Sequence, residues 1–310
     1  MDLTQSIKSK AHEIGFHKIG ISSPFQPLMY NDYFDSWLDA GKNGTMTWLE
    51  NRKEERKDVN NYFQGVKSVV SVAINYFTGI SDELVANGKQ THKFSNYAWG
   101  KDYHIVVKQK LNELLDYIKN ELNQDTNGIV SVDSAPVMEK QWAQRGGIGW
   151  QGKHTVLIND EFGSWIFLGE LLLDIPLDYD QSFAKYLCGT CTECIDACPT
   201  KALSEYQLDA TKCISYLTVE YKNEFDPDQK SKLNGWIYGC DICQQVCPWN
   251  KTKQKYTDED SFKSIREMRE CSLTDWLKID DNSFKKIFKD SPIKRIKYDR
   301  FLRNVTASNR

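Results

Sequence analysis

Cys188-Gly189-Thr190-Cys191-Thr192-Glu193-Cys194-Ile195-Asp196-Ala197-Cys198-Pro199 matches, residue for residue, the bacterial ferredoxin run C-x2-C-x2-C-x3-C-P. Three thiolates on one tight loop reach three irons of a cubane. The fourth points away along a short helix towards a second cluster. Cys240-x2-Cys243-x3-Cys247-Pro248 repeats the motif without its first cysteine, whose place is taken by Ile237. Cys213, upstream, is the substitute. Crosswise ligation then assigns Cys188, Cys191, Cys194 and Cys247 to one [4Fe–4S] cluster, and Cys198, Cys213, Cys240 and Cys243 to the other. Structural zinc is the alternative, because C-x2-C pairs also build four-cysteine zinc sites. Zinc accounts for the pairs, but not for a third cysteine at x2 and a fourth at x3 before proline. Cys271 stands outside the pattern and reads as a small core residue.

Outward from this run the chain changes character. The 310 residues suggest two domains with an appendage. A 40% hydrophobic, 27% charged and 12% aromatic composition supports a packed core and excludes disordered and low-complexity classes. Leu3, Ile7, Ala11 and Ile14 mark a helix, Lys18 to Ser22 a strand, and Tyr30, Phe34, Trp37 and Leu38 a second helix closed by Gly41. Ser68 to Ile74 is a buried strand, 102–122 the longest helix, Pro136 to Arg145 another. Further strands are expected at 129–132, 154–158 and 164–173. This alternation predicts an α/β sandwich over residues 1–178, then a ferredoxin-like segment at 179–252 and a helical, basic segment at 253–310.

The net charge is −3, but Lys285 to Arg310 holds nine basic and two acidic residues, which hints at a polyanionic partner. No stretch approaches the ~18 apolar residues of a membrane span, and the first residues lack the apolar core of a secretory signal. A cytoplasmic protein is expected, in which clustered cysteines signify metal or redox chemistry.

Two further stretches invite a functional reading. Gly147-Ile148-Gly149-Trp150-Gln151-Gly152 spells G-x-G-x-x-G, but it follows a helix rather than a strand, so the dinucleotide context is missing. Val132-Asp133-Ser134-Ala135-Pro136 places an acid at a strand end before a helix. Asp133 is either a helix cap or a group in the ligand-binding region of an open α/β sheet.

Taken together, Arg56, Tyr97-Ala98-Trp99-Gly100-Lys101-Asp102-Tyr103-His104, Val132 to Val137, Gly149 to Lys153, Phe162 to Trp165, Leu168-Gly169-Glu170, the cysteine runs and Ser291-Pro292-Ile293-Lys294-Arg295 resemble the epoxyqueuosine reductase family. The resemblance runs in family order from about residue 10 to 305. Many members continue into C-terminal helical repeats, so this chain reads as a short form. The resemblance implies a cobalamin-dependent iron–sulfur enzyme that removes the epoxide oxygen of epoxyqueuosine in tRNA, giving queuosine and water. Clusters deliver single electrons, so a centre coupling them to carbon chemistry is required, and reduced corrin cobalt can attack an epoxide carbon. It implies Asp133 as the acid that protonates the alkoxide, its pKa raised by a dry site. It implies cobalamin contacts from Arg56, Tyr97, Asp133, Lys153, His154, Thr155, Gly163 and Ser164. Lys294, Arg295 and Lys297 would grip tRNA, and an external low-potential donor would supply electrons. Two other classes fit the cysteines: a corrinoid reductase of small molecules, similar to reductive dehalogenases, and a non-catalytic ferredoxin-type carrier.

Overall fold

The computed structural model describes residues 2–25, 30–80, 83–84, 87–88 and 92–308. Helix α1 (Leu3–Ile14) buries Ile7, Ala11 and Ile14 and ends at Gly15, whose φ of 102° supplies the left-handed C-cap. Strand β1 (Lys18–Ser22) follows, then β2 (Ser68–Asn75), which is buried along its whole length. Helix α2 (Tyr103–Asp116) runs on into a π-turn at Tyr117–Glu121. After it come β3 (Gly128–Ser131), α3 (Glu139–Arg145) and β4 (Ile166–Leu173). The last helix, α4 (Lys297–Ser308), closes the chain.

The four strands form one sheet in the order β1-β2-β4-β3, every pair antiparallel. Helices cover both faces. On one, α1 and α2 pack through Ile7, Val107, Leu111 and Leu114. Gly169 of β4 lets α2 approach, since a Cβ there would stand 2.7 Å from Val107. On the other lies α3, where the backbones of Gly20 and Gly146 touch so closely that a Cβ on Gly20 would meet the Gly146 carbonyl at 1.9 Å. The α/β sandwich expected from sequence is present.

Three expected elements are displaced. The strand at 154–158 shrinks to Leu157–Ile158 and pairs with Trp150–Gln151 outside the main sheet. Thr155, at φ 69°, turns the chain there. The helix expected from Pro136 starts at Glu139, because Asp133 at φ 51° and the Ala135–Val137 turn hold the preceding residues out of it. The long helix stays α-helical only to Asp116.

The cysteine-bearing segment folds as short turns and single-turn helices, among them Glu193–Asp196 and Ile242–Gln245. The C-terminal helices bury Trp276, Phe284, Phe288 and Phe301 in one core with Phe94, Trp99, Ile237 and Tyr238. Residues from all three stretches of sequence thus share that core. No helix among the described residues is long and apolar enough to cross a membrane.

Candidate active site

Asp133 lies on the turn after β3, with its backbone in the left-handed region. It does not cap α3: the residue before that helix is Met138, and the Asp133 carboxylate points elsewhere. Its Oδ2 is 3.0 Å from Nε2 of His104, whose Nδ1 is 2.7 Å from Oδ1 of Asp102. Asp102 also caps α2 through the His104 N–H. The helix start therefore fixes an imidazole between two carboxylates. Burial alone would lower the His104 pKa, but hydrogen bonds to Asp102 and Asp133 carry it up to about 9. At neutral pH both ring nitrogens donate. Burial would raise Asp133, yet the hydrogen bond and charge of His104, with help from Tyr103, hold it below the usual carboxylate value. This corrects the sequence expectation: in the folded chain the proton resides on His104 rather than on Asp133.

Around this pair stand Arg56, Tyr97, Tyr103 and Glu139. Arg56 is 5% exposed, donates to the Ala135 carbonyl at 3.2 Å, and keeps a buried Nε without a partner. The rings of Tyr97, Tyr103 and Tyr238 form a tilted and edge-on cluster. Burial raises the pKa of Tyr97 and Tyr103, and Asp133 adds to it. The Asp133 side chain is nevertheless 40% exposed. Asp133 is thus half-buried, reachable by solvent while its neighbours still desolvate it. Glu139 accepts from the Asp133 N–H at 2.5 Å.

Lys140 links this centre to the second group of expected contacts. It feels the charges of Glu139 and Asp133, and its Nζ donates to the Thr155 carbonyl at 2.8 Å. His154 is 3% exposed with an unpartnered Nε2, and burial, then Lys140, brings its pKa down to about 4. Lys153 pairs with Glu205 at 2.7 Å. Gly163 and Ser164 are differently employed. Asn250 accepts from the Ser164 N–H at 2.6 Å and donates to its hydroxyl at 2.9 Å, and Gln244 donates to that hydroxyl at 3.0 Å. A Cβ on Gly163 would meet the Asn250 side chain at 2.1 Å. These two residues seat the cysteine segment on the sheet. A separate 490 Å³ depression near Lys18, Glu161 and Lys255 is walled by ion pairs and includes none of these residues.

The thiols fall into two neighbourhoods. Burial raises Cys194, and the next influences are Cys247, Cys188 and Cys191. Burial likewise raises Cys240, with Cys213 and Cys198 among its neighbours, and Cys243, with Cys240, Cys213 and, from the adjoining group, Cys194. Among the described residues no three His, Cys, Asp or Glu side chains are placed to hold a single ion. Corners of a cubane demand a wider spacing than one ion does. Cys271 packs beside the C-terminal core and has only acidic residues for charged neighbours.

The basic tail is not one face. Arg300 donates to the carbonyls of Ile296, Val219 and Arg295, and Arg303 to those of Tyr221, Asn223 and Leu217. Lys285 pairs with Asp281, and Arg310 lies outside the described residues. Arg295 pairs with Glu220 at 2.6 Å and contributes to the field at Asp133. Lys294 and Lys297 are exposed.

Two family models match the chain: "Epoxyqueuosine reductase QueG, DUF1730" over residues 56–134 and "4Fe-4S double cluster binding domain" over 187–250. An epoxyqueuosine reductase of Cyclobacterium marinum is 40% identical over 97% of this chain and 95% of its own length. The chain belongs to the epoxyqueuosine reductase family. Family membership extends to three dimensions. A crystal structure of an epoxyqueuosine reductase with an epoxyqueuosine-modified tRNA-Tyr stem loop superposes with a TM-score of 0.87 at 28% identity, covering 99% of this chain and 80% of that one. A Bacillus subtilis member, described with its aspartate-bearing catalytic loop swung out of the active site, gives 0.88 at 28% identity over the same shares. The chain accordingly carries a 4Fe–4S binding domain.

Sequence reasoning passed over His104, Asp102 and Glu139 as site residues. The first two lie within the quoted Tyr97–His104 stretch, and Asp-x-His at a helix start was the available signal.

Proposed function

We propose that this chain reduces epoxyqueuosine to queuosine in tRNA, with Asp133 as the group that delivers a proton to the opening epoxide. Near-full-length identity to an epoxyqueuosine reductase carries the reading of activity and substrate. The Asp102–His104–Asp133 array carries the assignment of the proton.

Converting an epoxide to an alkene and water consumes two electrons and two protons. His104 holds one proton up to about pH 9, and its Nε2 lies 3.0 Å from Asp133 Oδ2. A proton passed along that bond makes Asp133 a neutral acid on a partly exposed side chain, and Asp102 keeps the ring oriented. The tyrosine cluster, with its raised pKa values, remains neutral beside the array.

Cobalamin suits these residues. A buried Arg56 Nε and a buried His154 Nε2 without partners, beside a half-exposed Asp133, fit a large polar ligand. Arg56, Tyr97, Asp133, Lys153, His154 and Thr155 would hold it, and Gly163 and Ser164 would border it, their backbone groups being already bonded within the chain. When bound, the corrin cobalt supplies a two-electron nucleophilic centre. Two [4Fe–4S] clusters, on the quartets Cys188/Cys191/Cys194/Cys247 and Cys198/Cys213/Cys240/Cys243, would pass on electrons from an external low-potential donor. Lys294 and Lys297 would meet tRNA phosphates, in the cytoplasm where tRNA resides.

The test is turnover of epoxyqueuosine-containing tRNA by anaerobically prepared holoprotein. Asp133→Asn should lower it by roughly 10²–10⁴-fold, the usual contribution of a general acid, with iron content unchanged. Retained turnover would remove Asp133 from this role.

A further inference from the structure

Two acids, one buried and one half-buried, are left unused by this chemistry. Glu170 stands in the middle of β4 with 0% exposure, and neither carboxyl oxygen has a hydrogen-bond partner. The register sets Ser71 of β2 and Ser131 of β3 directly beside it, and their hydroxyls are likewise buried and unpartnered. Directly opposite residues on paired strands project from the same face. A lone carboxylate in so dry a place takes up a proton instead of keeping its charge.

The group that Glu170 faces is Glu139, at the start of α3. Burial first, and then Glu139, push the Glu170 pKa well above the ordinary value. Burial, and then Asp133, bring Glu139 up to about 8. Neither Glu170 oxygen meets hydrogen-bond geometry, yet Glu139 acts on it through its charge and as a side-chain hydrogen-bonding neighbour. Such neighbours cannot both ionise cheaply, so the pair keeps at least one proton at neutral pH. On its other side Glu139 accepts the Asp133 N–H through Oε1. Asp133 needs that grip, because a left-handed backbone is strained in a side-chain-bearing residue unless its surroundings impose it.

We propose that Glu139 and Glu170 are positioning residues: a proton-sharing carboxyl pair that holds the Asp133 backbone and thereby keeps the Asp133 carboxylate on His104. The proposal rests on the reading of Asp133 as proton donor. Glu170, protonated, offers its O–H to one oxygen of Glu139, and the other oxygen stays free to accept from Asp133. Asp133, His104, Lys140, Arg56 and Tyr103 are the charged and titratable groups facing Glu139 from the neighbouring elements. Loss of the shared proton would set a second negative charge behind Asp133.

Full-length protein with its clusters in place serves for the test. Infrared difference spectra, wild type minus Glu170→Gln, should show a protonated-carboxyl band at pH 7, well above the ordinary carboxylate range. In Glu139→Ala the amides of residues 133–135 should exchange roughly five- to tenfold faster, the effect of one lost hydrogen bond. Turnover should fall about 10²-fold, as for a misplaced catalytic group. Glu139→Gln keeps an acceptor oxygen, so exchange should stay slow and turnover fall less, while the Glu170 band persists but shifts because its neighbour is no longer a carboxyl. A missing band at pH 7 in wild type, or wild-type exchange in Glu139→Ala, overturns the proposal. Should Asp133→Asn retain turnover, the proton-donor reading fails, whereas the band and the exchange rates still decide the pair.

Discussion

Where a proton rests is decided by one contact. Asp133 and His104 are 29 positions apart in sequence, so the carboxylate is legible as an acid at a strand end while its partner is not. From sequence, dryness alone governs Asp133 and predicts a raised pKa. In the fold the imidazolium outweighs dryness and reverses the direction. The contact has a pH signature. His104 titrates near 6.5 when unfolded and about 9 when folded, so its stabilising contribution is complete below 6.5 and lost as pH rises through 9. Asp133, lowered in the fold, contributes above its ordinary value and loses that contribution on acidification. The stability difference between wild type and His104→Gln, measured by denaturant titration, should therefore be greatest at about pH 4–6.5, between the ordinary carboxylate and imidazole values. It should shrink steadily towards pH 9. A difference that grows above pH 7 would mean that His104 is not held as the cation.

Between elements, the joint that matters is Gly163-Ser164 against Asn250 and Gln244. The cysteine pattern is legible because metal ligation constrains spacing directly. The joint is not, because Asn250 is just one more polar residue after Pro248 until folding buries it to 1% exposure. Its amide satisfies the Ser164 N–H and hydroxyl and the Gln244 carbonyl. Asn250→Ala leaves the Ser164 N–H buried and unpaired, at about 1–3 kcal/mol, while the Ser164 hydroxyl keeps Gln244 and the Gln244 carbonyl keeps the Cys247 N–H. The expected outcome is a lower unfolding midpoint together with easier loss of iron, since Cys247 lies three residues away. The cysteine quartets make a sharper prediction. Cys213→Ala should remove one cluster's worth of iron, about four of eight atoms if both sites are cubanes. Cys271→Ala should remove none, because Cys271 belongs to the C-terminal core. Iron analysis and EPR of anaerobic protein read both. Iron loss on changing Cys271 would overturn the partition.

At the scale of the whole molecule, the basic tail illustrates how composition overstates a binding surface. Nine basic residues read from sequence as one polyanion-binding segment. The fold uses Arg300 and Arg303 to satisfy the carbonyls that end neighbouring elements, and Arg303 also stacks 3.9 Å from the Phe225 ring. Arg295, though exposed, is tied to Glu220 and adds to the field at Asp133. That leaves Lys286, Lys289, Lys294 and Lys297 exposed, with Lys294 and Lys297 flanking Arg295. A tRNA held there would have its backbone on the lysines and its modified nucleotide towards Asp133, which suits an unstacked base read in a pocket. Replacing Lys294 and Lys297 together by Ala should weaken tRNA binding and reduce the log–log salt slope by about 1.4–1.8, at ~0.7–0.9 per phosphate contact. Arg295→Ala should behave differently. It should change the slope little but lower turnover at saturating tRNA, because the charge it removes acts on Asp133 and Glu220 rather than on a phosphate. Binding isotherms between 50 and 200 mM salt, roughly the range over which such contacts are lost, separate the two effects. Equal slope changes for Arg295 and for the lysines would restore the tail as a single phosphate-binding face.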